Sequence, residues 1–206
     1  MKRIFLGLLA FTIIAVSCKD EAKPSDIATA TTQPEKELSK EEQDKAWMDY
    51  MTPGDMHKWM AKNDGTWEAE MKMWMHPDSP AVNTKGTAMF KTVLGGRYQE
   101  GVHTGDMMGM PFEGHSTMGY DNAKKVFFST WVDNMGTGVM NMQGTYDAAT
   151  KTMTMKGTMV DPTTGKDCDV REVMTFIDDN TQKMEMYCTF KGKEMKTMEM
   201  VSKRKM

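Results

Sequence analysis

The chain has 206 residues, a formal net charge of -3 and 27% charged side chains. The two signs are interspersed, which excludes the concentrated basic field of a nucleic-acid surface; only Lys203-Arg204-Lys205 is basic, and it is short. The length accommodates one ordinary domain with a sizeable core and leaves little room for a second.

The chain opens with Lys2 and Arg3, runs apolar from Ile4 to Val16 with only Gly7 and Thr12 interrupting, and reaches Ser17 and Cys18. A charged start, an apolar middle and a small-residue end form the pattern of an export signal. The apolar run falls short of the roughly 20 residues that a spanning helix needs. Ala15-Val16-Ser17-Cys18 is similar to a lipobox, with Ala15 where Leu is usual. That similarity implies a signal peptide over residues 1–17 and an acylated, palmitate-type anchor on Cys18, making a membrane the first partner. Ordinary cleavage, with Cys18 an incidental thiol, is the alternative. Lys19 after the cysteine resembles the sorting pattern that sends enteric lipoproteins to the outer membrane, so the expected place is the bacterial cell envelope. Residues 18–40, rich in Glu, Lys, Pro, Thr and Ala, bury too little to fold and read as a tether.

Residues 41–64 form a short helical segment. Ser39 and Glu42 make a capping-box pattern, followed by Trp47, Met48 and Met51 at helical spacing. Thr52 as cap and Pro53 at the first helical position start a second helix carrying Met56, Trp59 and Met60. From Thr66 the period changes to two, with Trp67, Ala69, Met71, Met73 and Met75 alternating with charged residues. Extended segments then follow one another across residues 65–206, separated by turn residues such as Gly95-Gly96, Asp121-Asn122 and Lys191-Gly192-Lys193. About ten antiparallel strands are expected, and an up-and-down barrel closes their edges most economically. A sandwich would accept the same alternation.

Methionine occurs 26 times, often where Val or Ile would be usual. It reads as an adaptable core filler. The alternative is soft-ligand binding of monovalent copper, best placed in Asp106-Met107-Met108-Gly109-Met110 beside His103. Folding the neighbouring hairpin around Met108 sets His103 opposite Glu113 with His115 on the same face, and Arg97 and Gln99 join by period two. This offers a two-histidine, one-carboxylate metal site, against a solvated outer face carrying a salt bridge. Cys168 and Cys188 are the thiols left after lipidation, and export permits a disulfide. A turn at Asp178 to Asn180 sets Cys168 opposite a residue near 189–191, so two unpaired cysteines are expected unless a bulge closes the gap.

Gly65-Thr66-Trp67, Leu94-Gly95-Gly96-Arg97-Tyr98, Gly109-Met110-Pro111-Phe112-Glu113-Gly114, Gly119-Tyr120-Asp121-Asn122, Thr130-Trp131-Val132-Asp133-Asn134-Met135-Gly136-Thr137, Gly144-Thr145-Tyr146-Asp147 and Arg171-Glu172-Val173 stand in order along the chain. They resemble the successive signature blocks of the bacterial family catalogued as domain of unknown function 1579, from about Pro53 to Lys203. The resemblance implies a calycin-like (lipocalin-like) β-barrel and brings no activity or cofactor with it. Within those blocks Tyr120-Asp121 and Trp131-Val132-Asp133 read first as barrel-end closures, with Asp accepting bonds from turn amides. As ligand contacts, Arg97, Tyr98, Tyr120, Trp131 and Asp133 would offer anion pairing, hydroxyl and stacking groups at a barrel mouth.

The sequence holds no G-x-S-x-G elbow, Walker loop, H-E-x-x-H or dinucleotide fingerprint. The expected function is therefore non-enzymatic: an envelope lipoprotein whose barrel holds a small apolar or amphipathic ligand. A packed structural or assembly barrel and copper binding stand as alternatives.

Overall fold

The computed structural model describes residues 37–76 and 79–206. The expected signal peptide, Cys18 and most of the tether lie outside the described residues.

Helix α1 (Lys40–Met51) starts as expected: the Ser39 hydroxyl accepts the Glu42 amide at 3.2 Å, and the Glu42 carboxylate accepts the Ser39 amide at 2.7 Å. It buries no residue and leaves Trp47, Met48 and Tyr50 exposed. Helix α2 (Asp55–Ala61) starts two residues later than its sequence suggests. The proline disfavours helical backbone in the residue before it, so Thr52 is extended and caps the end of α1. Gly54 takes the start of α2, its amide donating to His57 Nδ1 at 3.1 Å.

Ten strands follow: β1 (Gly65–Met73), β2 (Val82–Val93), β3 (Tyr98–Met107), β4 (Met110–Asp121), β5 (Val126–Asp133), β6 (Met140–Asp147), β7 (Thr152–Asp161), β8 (Lys166–Asp178), β9 (Thr181–Phe190) and β10 (Lys193–Arg204). Each pairs antiparallel with the next, and β10 closes on β1 with Trp67 opposite Arg204 through Met73 opposite Met198. The sheet is thus a closed barrel, not a sandwich, and has no free edge. Leu38–Met206 forms one compact unit with a core of its own and every strand bonded on both sides, so this portion contains what it needs to fold alone.

Closure demands sharp bends, and the β6–β7 ladder shows how they are made. A Cβ on Gly144 would land on the Thr154 carbonyl, and one on Gly157 on the Asn141 carbonyl. Gly144→Ala should therefore cost about 3 kcal/mol in urea unfolding, because the obstruction is backbone and cannot rotate away. A loss below about 1 kcal/mol would mean the bend has another cause.

One end of the barrel is floored by α2. The Trp59 ring lies 4.3 Å from Tyr146, 4.8 Å from Phe176 and 5.5 Å from Phe127, centroid to centroid. Met60 and His57 are buried beside it. The end of α2 is tied down by polar side chains from the wall: Gln99 Nε2 donates to the Met60 carbonyl at 2.9 Å, and Gln182 Nε2 to Asn63 Oδ1 at 2.9 Å. Its start is held next to α1, where Arg97 Nη2 donates to the Met51 carbonyl at 2.6 Å and Asn122 Nδ2 to the Thr52 carbonyl at 2.8 Å.

Candidate functional site in the barrel lumen

Side chains alternate across a strand, so one phase of each strand faces the lumen. On β8 the inward phase is Cys168, Val170, Glu172, Met174 and Phe176: Val170 is fully buried, and Met174 and Phe176 pack against the core. Glu172 is a carboxyl in an apolar row. Its ladder neighbours are Met155 on β7 and Met186 on β9, and no described group hydrogen-bonds it. Protein surrounds the carboxyl, and the side chain as a whole is half-buried. Burial pushes its pKa from 4.5 up to about 7.

Five strands away in either direction, β3 supplies the opposite wall. His103 is inward there, its ring 5.4 Å from Phe90 and 4.8 Å from Trp131, with Nε2 3.1 Å from Ser116 Oγ. Phe112 stacks on Trp131 at 6.2 Å, and Trp131 Nε1 donates to Asp133 at 2.7 Å. Burial lowers the His103 pKa to about 4, with the His115 charge a smaller contribution in the same direction. His103 is accordingly neutral near pH 7. The His103–Ser116 pair has the spacing of a base and a nucleophile, but so low a pKa makes a poor base at neutral pH, and among the described residues nothing bonds the second ring nitrogen to orient it.

The lumen is therefore two-sided. Above the floor, where Tyr146 of β6 and Phe176 of β8 pack on Trp59, β2–β5 contribute Phe90, Phe112, Trp131 and the imidazole, whereas β6–β10 contribute thioethers, among them Met155, Met174, Met186, Met198 and Met200, around one carboxyl. Trp131, Ser116, Met174 and Met186 are half-buried, and the row from Phe127 through Met142, Met155 and Val170 to Cys188 is packed tight.

The two-histidine, one-carboxylate cluster weighed against a solvated outer face does not assemble. The β3–β4 turn consists of Met108 and Gly109 with φ of 55° and 84°, the two-residue form that suits a hairpin, so His103 pairs with Gly114 and Glu113 with Thr104. That register is one residue away from the expected one, and such a slip moves a side chain to the other face. His103 enters the lumen; Glu113 and His115 stay outside as an exposed pair at 2.9 Å. Gln99 is likewise buried among α2 contacts, and Arg97 is committed to the Leu94 and Met51 carbonyls. No three His, Cys, Asp or Glu side chains gather to hold a metal among the described residues.

The other sequence candidates separate. Tyr120 packs on His57 and Phe127 at the floor, and Tyr98 packs on Phe128 over Gly119 on the outer face. Trp131 and Asp133 do reach the lumen together. Asp133 also accepts the Met135 and Gly136 amides, and Asp121 the Ala123 and Lys124 amides, which is the turn-closing role read from sequence. Sequence reasoning passed over Glu172 and Ser116. The signal for Glu172 was present as a charge in the apolar phase of Val170, Met174 and Phe176.

Cys168 and Cys188 are free thiols on the inner face; Cys188 pairs with Val170 and Cys168 with Met159. Burial raises both thiol pKa values. Cys188, 3% exposed, should react with a thiol reagent only after unfolding, and Cys168 should react faster; equal rapid labelling in the native protein would contradict that order.

Two hollows stand out, neither lined by Glu172, His103, Ser116 or Trp131. A saddle of about 450 Å³ on the outer wall of β10, β1, β2 and β3 is polar; of its charges, Lys85 pairs with Glu70 at 2.9 Å and Glu68 with Lys205 at 3.3 Å. A second hollow of about 10 Å³ is lined by Met73, Met75, Met107 and Met108 with Val82 and Thr84.

A closed ten-stranded antiparallel barrel floored by a short helix defines a calycin-like barrel protein. The model of the family described as protein of unknown function, DUF1579, matches residues 52–204, and the chain belongs to that family. No curated protein matches the chain. Among solved structures it is similar to the crystal structure of Rv2717c from M. tuberculosis, with a TM-score of 0.56 and 11% identity over 75% of this chain and 100% of the other. At that identity the likeness concerns the fold.

Proposed function

We propose that the protein is a lipid-anchored protein of the bacterial envelope that holds a small amphipathic ligand in its lumen and performs no chemistry on it. The carrying observation is the two-sided lumen itself: half-accessible rings and thioethers with a few inward polar groups, Glu172, His103 and Ser116, which is the composition of small-molecule sites. The run from Lys2 to Cys18 supports export and anchoring, and Lys19 favours the outer membrane. Diphenylhexatriene, an apolar dye dark in water, tests the reading. Saturable fluorescence at one dye per chain, with quenching of tryptophan emission that weakens in Trp131→Phe, is expected. A dye that stays dark would favour a barrel packed solid for a structural or assembly role, the reading supported by the tight row from Phe127 to Cys188.

The four methionines around the smaller hollow favour a second reading, capture of a monovalent copper ion by thioethers at the rim. Silver(I), a redox-inert stand-in, should then bind one per chain and be lost in the double variant Met107→Leu, Met108→Leu.

A further inference from the structure

We propose that the lumen selects a ligand bearing a protonated nitrogen, an amine head on an apolar body, and that the Glu172 carboxylate is its anchor. This rests on the lumen being a ligand site and adds the chemical class.

The argument starts from what Glu172 lacks. Each buried side-chain nitrogen and oxygen among the described residues that is sealed from water has a hydrogen-bond partner. The Glu172 carboxyl is not one of those sealed atoms: it faces inward, solvent touches it, and no described group of the protein hydrogen-bonds it. The chain supplies cations freely, but it places them elsewhere. Lys183 and Lys196 pair with Glu185 and Glu199 on the outer faces of β9 and β10, and Arg171, the neighbour of Glu172, points outward to grip Glu194 through two bonds of 2.8 and 2.7 Å. Arg204, at the floor, is committed to the Lys62, Asp64 and Asp179 carbonyls. Among the described residues no lysine or arginine pairs or hydrogen-bonds with Glu172.

An unpaired buried carboxylate is costly, and an oppositely charged donor held against it recovers that cost through a charge-assisted hydrogen bond. An anionic ligand would instead bring a second negative charge into the same enclosure. The surroundings suit an organic cation. Thioethers of Met155 and Met186 flank the carboxyl as soft, polarizable walls, and the rings of Phe90 and Trp131 line the opposite side, where faces attract cations and edges pack an apolar body. His103, neutral and bonded to Ser116, adds a polar contact without adding charge to compete.

The test uses Leu38–Met206 and three probes of equal length and different head: octylamine, octanol and octanoate, each titrated by calorimetry at neutral pH and each competed against diphenylhexatriene. Octylamine is expected to bind about tenfold or more tighter than octanol, with octanoate weakest. Glu172→Gln should bring the amine-to-alcohol ratio close to one. Glu172→Asp, which keeps the charge, should retain part of the preference, and Glu113→Gln on the outer face should retain all of it; melting curves for each variant exclude unfolding as the cause. If octanol and octanoate bind as tightly as octylamine, or Glu172→Gln leaves the preference intact, the amine assignment is overturned while the lumen remains a site. If neither the dye nor any probe binds, the lumen reading itself fails and this inference with it.

Discussion

Trp67→Ala is expected to destabilise the barrel by about 4 kcal/mol, a shift of roughly 2 M in the urea midpoint for a chain of this size. Trp67 is 1% exposed, and it stands where three parts of the structure meet. It lies on β1 opposite Ala88 of β2 and Arg204 of β10, so it spans the seam that closes the barrel. Its indole nitrogen donates to the Asn63 carbonyl at 2.9 Å, holding the chain leaving α2, and the Arg204 guanidinium lies 4.4 Å over the ring. Truncation leaves a cavity the size of an indole, an unpaired carbonyl and an unstacked arginine. Trp47, 62% exposed on α1, is the control: Trp47→Ala should change stability by less than about 0.5 kcal/mol. Equal effects at the two positions would contradict the seam account.

Glu172→Met should do the opposite and stabilise the protein, and only above a certain pH. Because burial raises the carboxyl pKa from 4.5 to about 7, the fold prefers the protonated form. The penalty for the charge is absent below pH 4.5, grows as pH rises toward 7 and is constant beyond. That shift corresponds to about 3 kcal/mol, so the variant should melt roughly 6–12 °C higher at pH 8 and at the same temperature at pH 4. His103 runs the other way. Its pKa falls from 6.5 to about 4 in the fold, so its contribution is complete above pH 6.5 and is lost as pH drops toward 4. In the native protein these two slopes oppose each other between pH 4.5 and 6.5 and flatten the stability curve, while in Glu172→Met the curve should climb with pH across that window. A melting temperature raised equally at pH 4 and pH 8 would show that better packing, and not charge, is responsible. A residue that lowers stability at neutral pH in an otherwise consistent barrel is the kind of local exception found at functional sites.

The barrel was legible because its signal is redundant. Ten runs with period two, separated by turns rich in Gly, Asn or Asp, leave few architectures, and the long alternation of Trp67, Ala69, Met71 and Met73 opposite charged residues fixes the inner face of β1 without help. Boundaries were weaker. Thr52 and Pro53 read as the start of α2, whereas the extended residue before proline ends α1. The site was lost at the β3–β4 turn, where sequence left the two-residue turn unplaced by one position. Moving it from one centred on Met108 to Met108-Gly109 sends His103 into the lumen and leaves Glu113 and His115 outside. Tyr120 and Trp131 looked equivalent as aromatic residues near strand ends; only tertiary packing puts the first under α2 and the second beside His103. Ser116 and Glu172 gain meaning from side chains on neighbouring strands whose register sequence does not fix, and Glu172 alone carried a local mark, a carboxyl in an apolar phase.

The most direct test of the lumen as a ligand site is native mass spectrometry of the chain purified from its own host, followed by release of any bound molecule in organic solvent. A stoichiometric small mass, amphipathic and carrying a basic nitrogen, is the predicted result, lost or exchanged in Glu172→Gln. A chain that carries nothing beyond its own covalent mass, and that also leaves diphenylhexatriene dark, would contradict the account and make the packed barrel the function-bearing form.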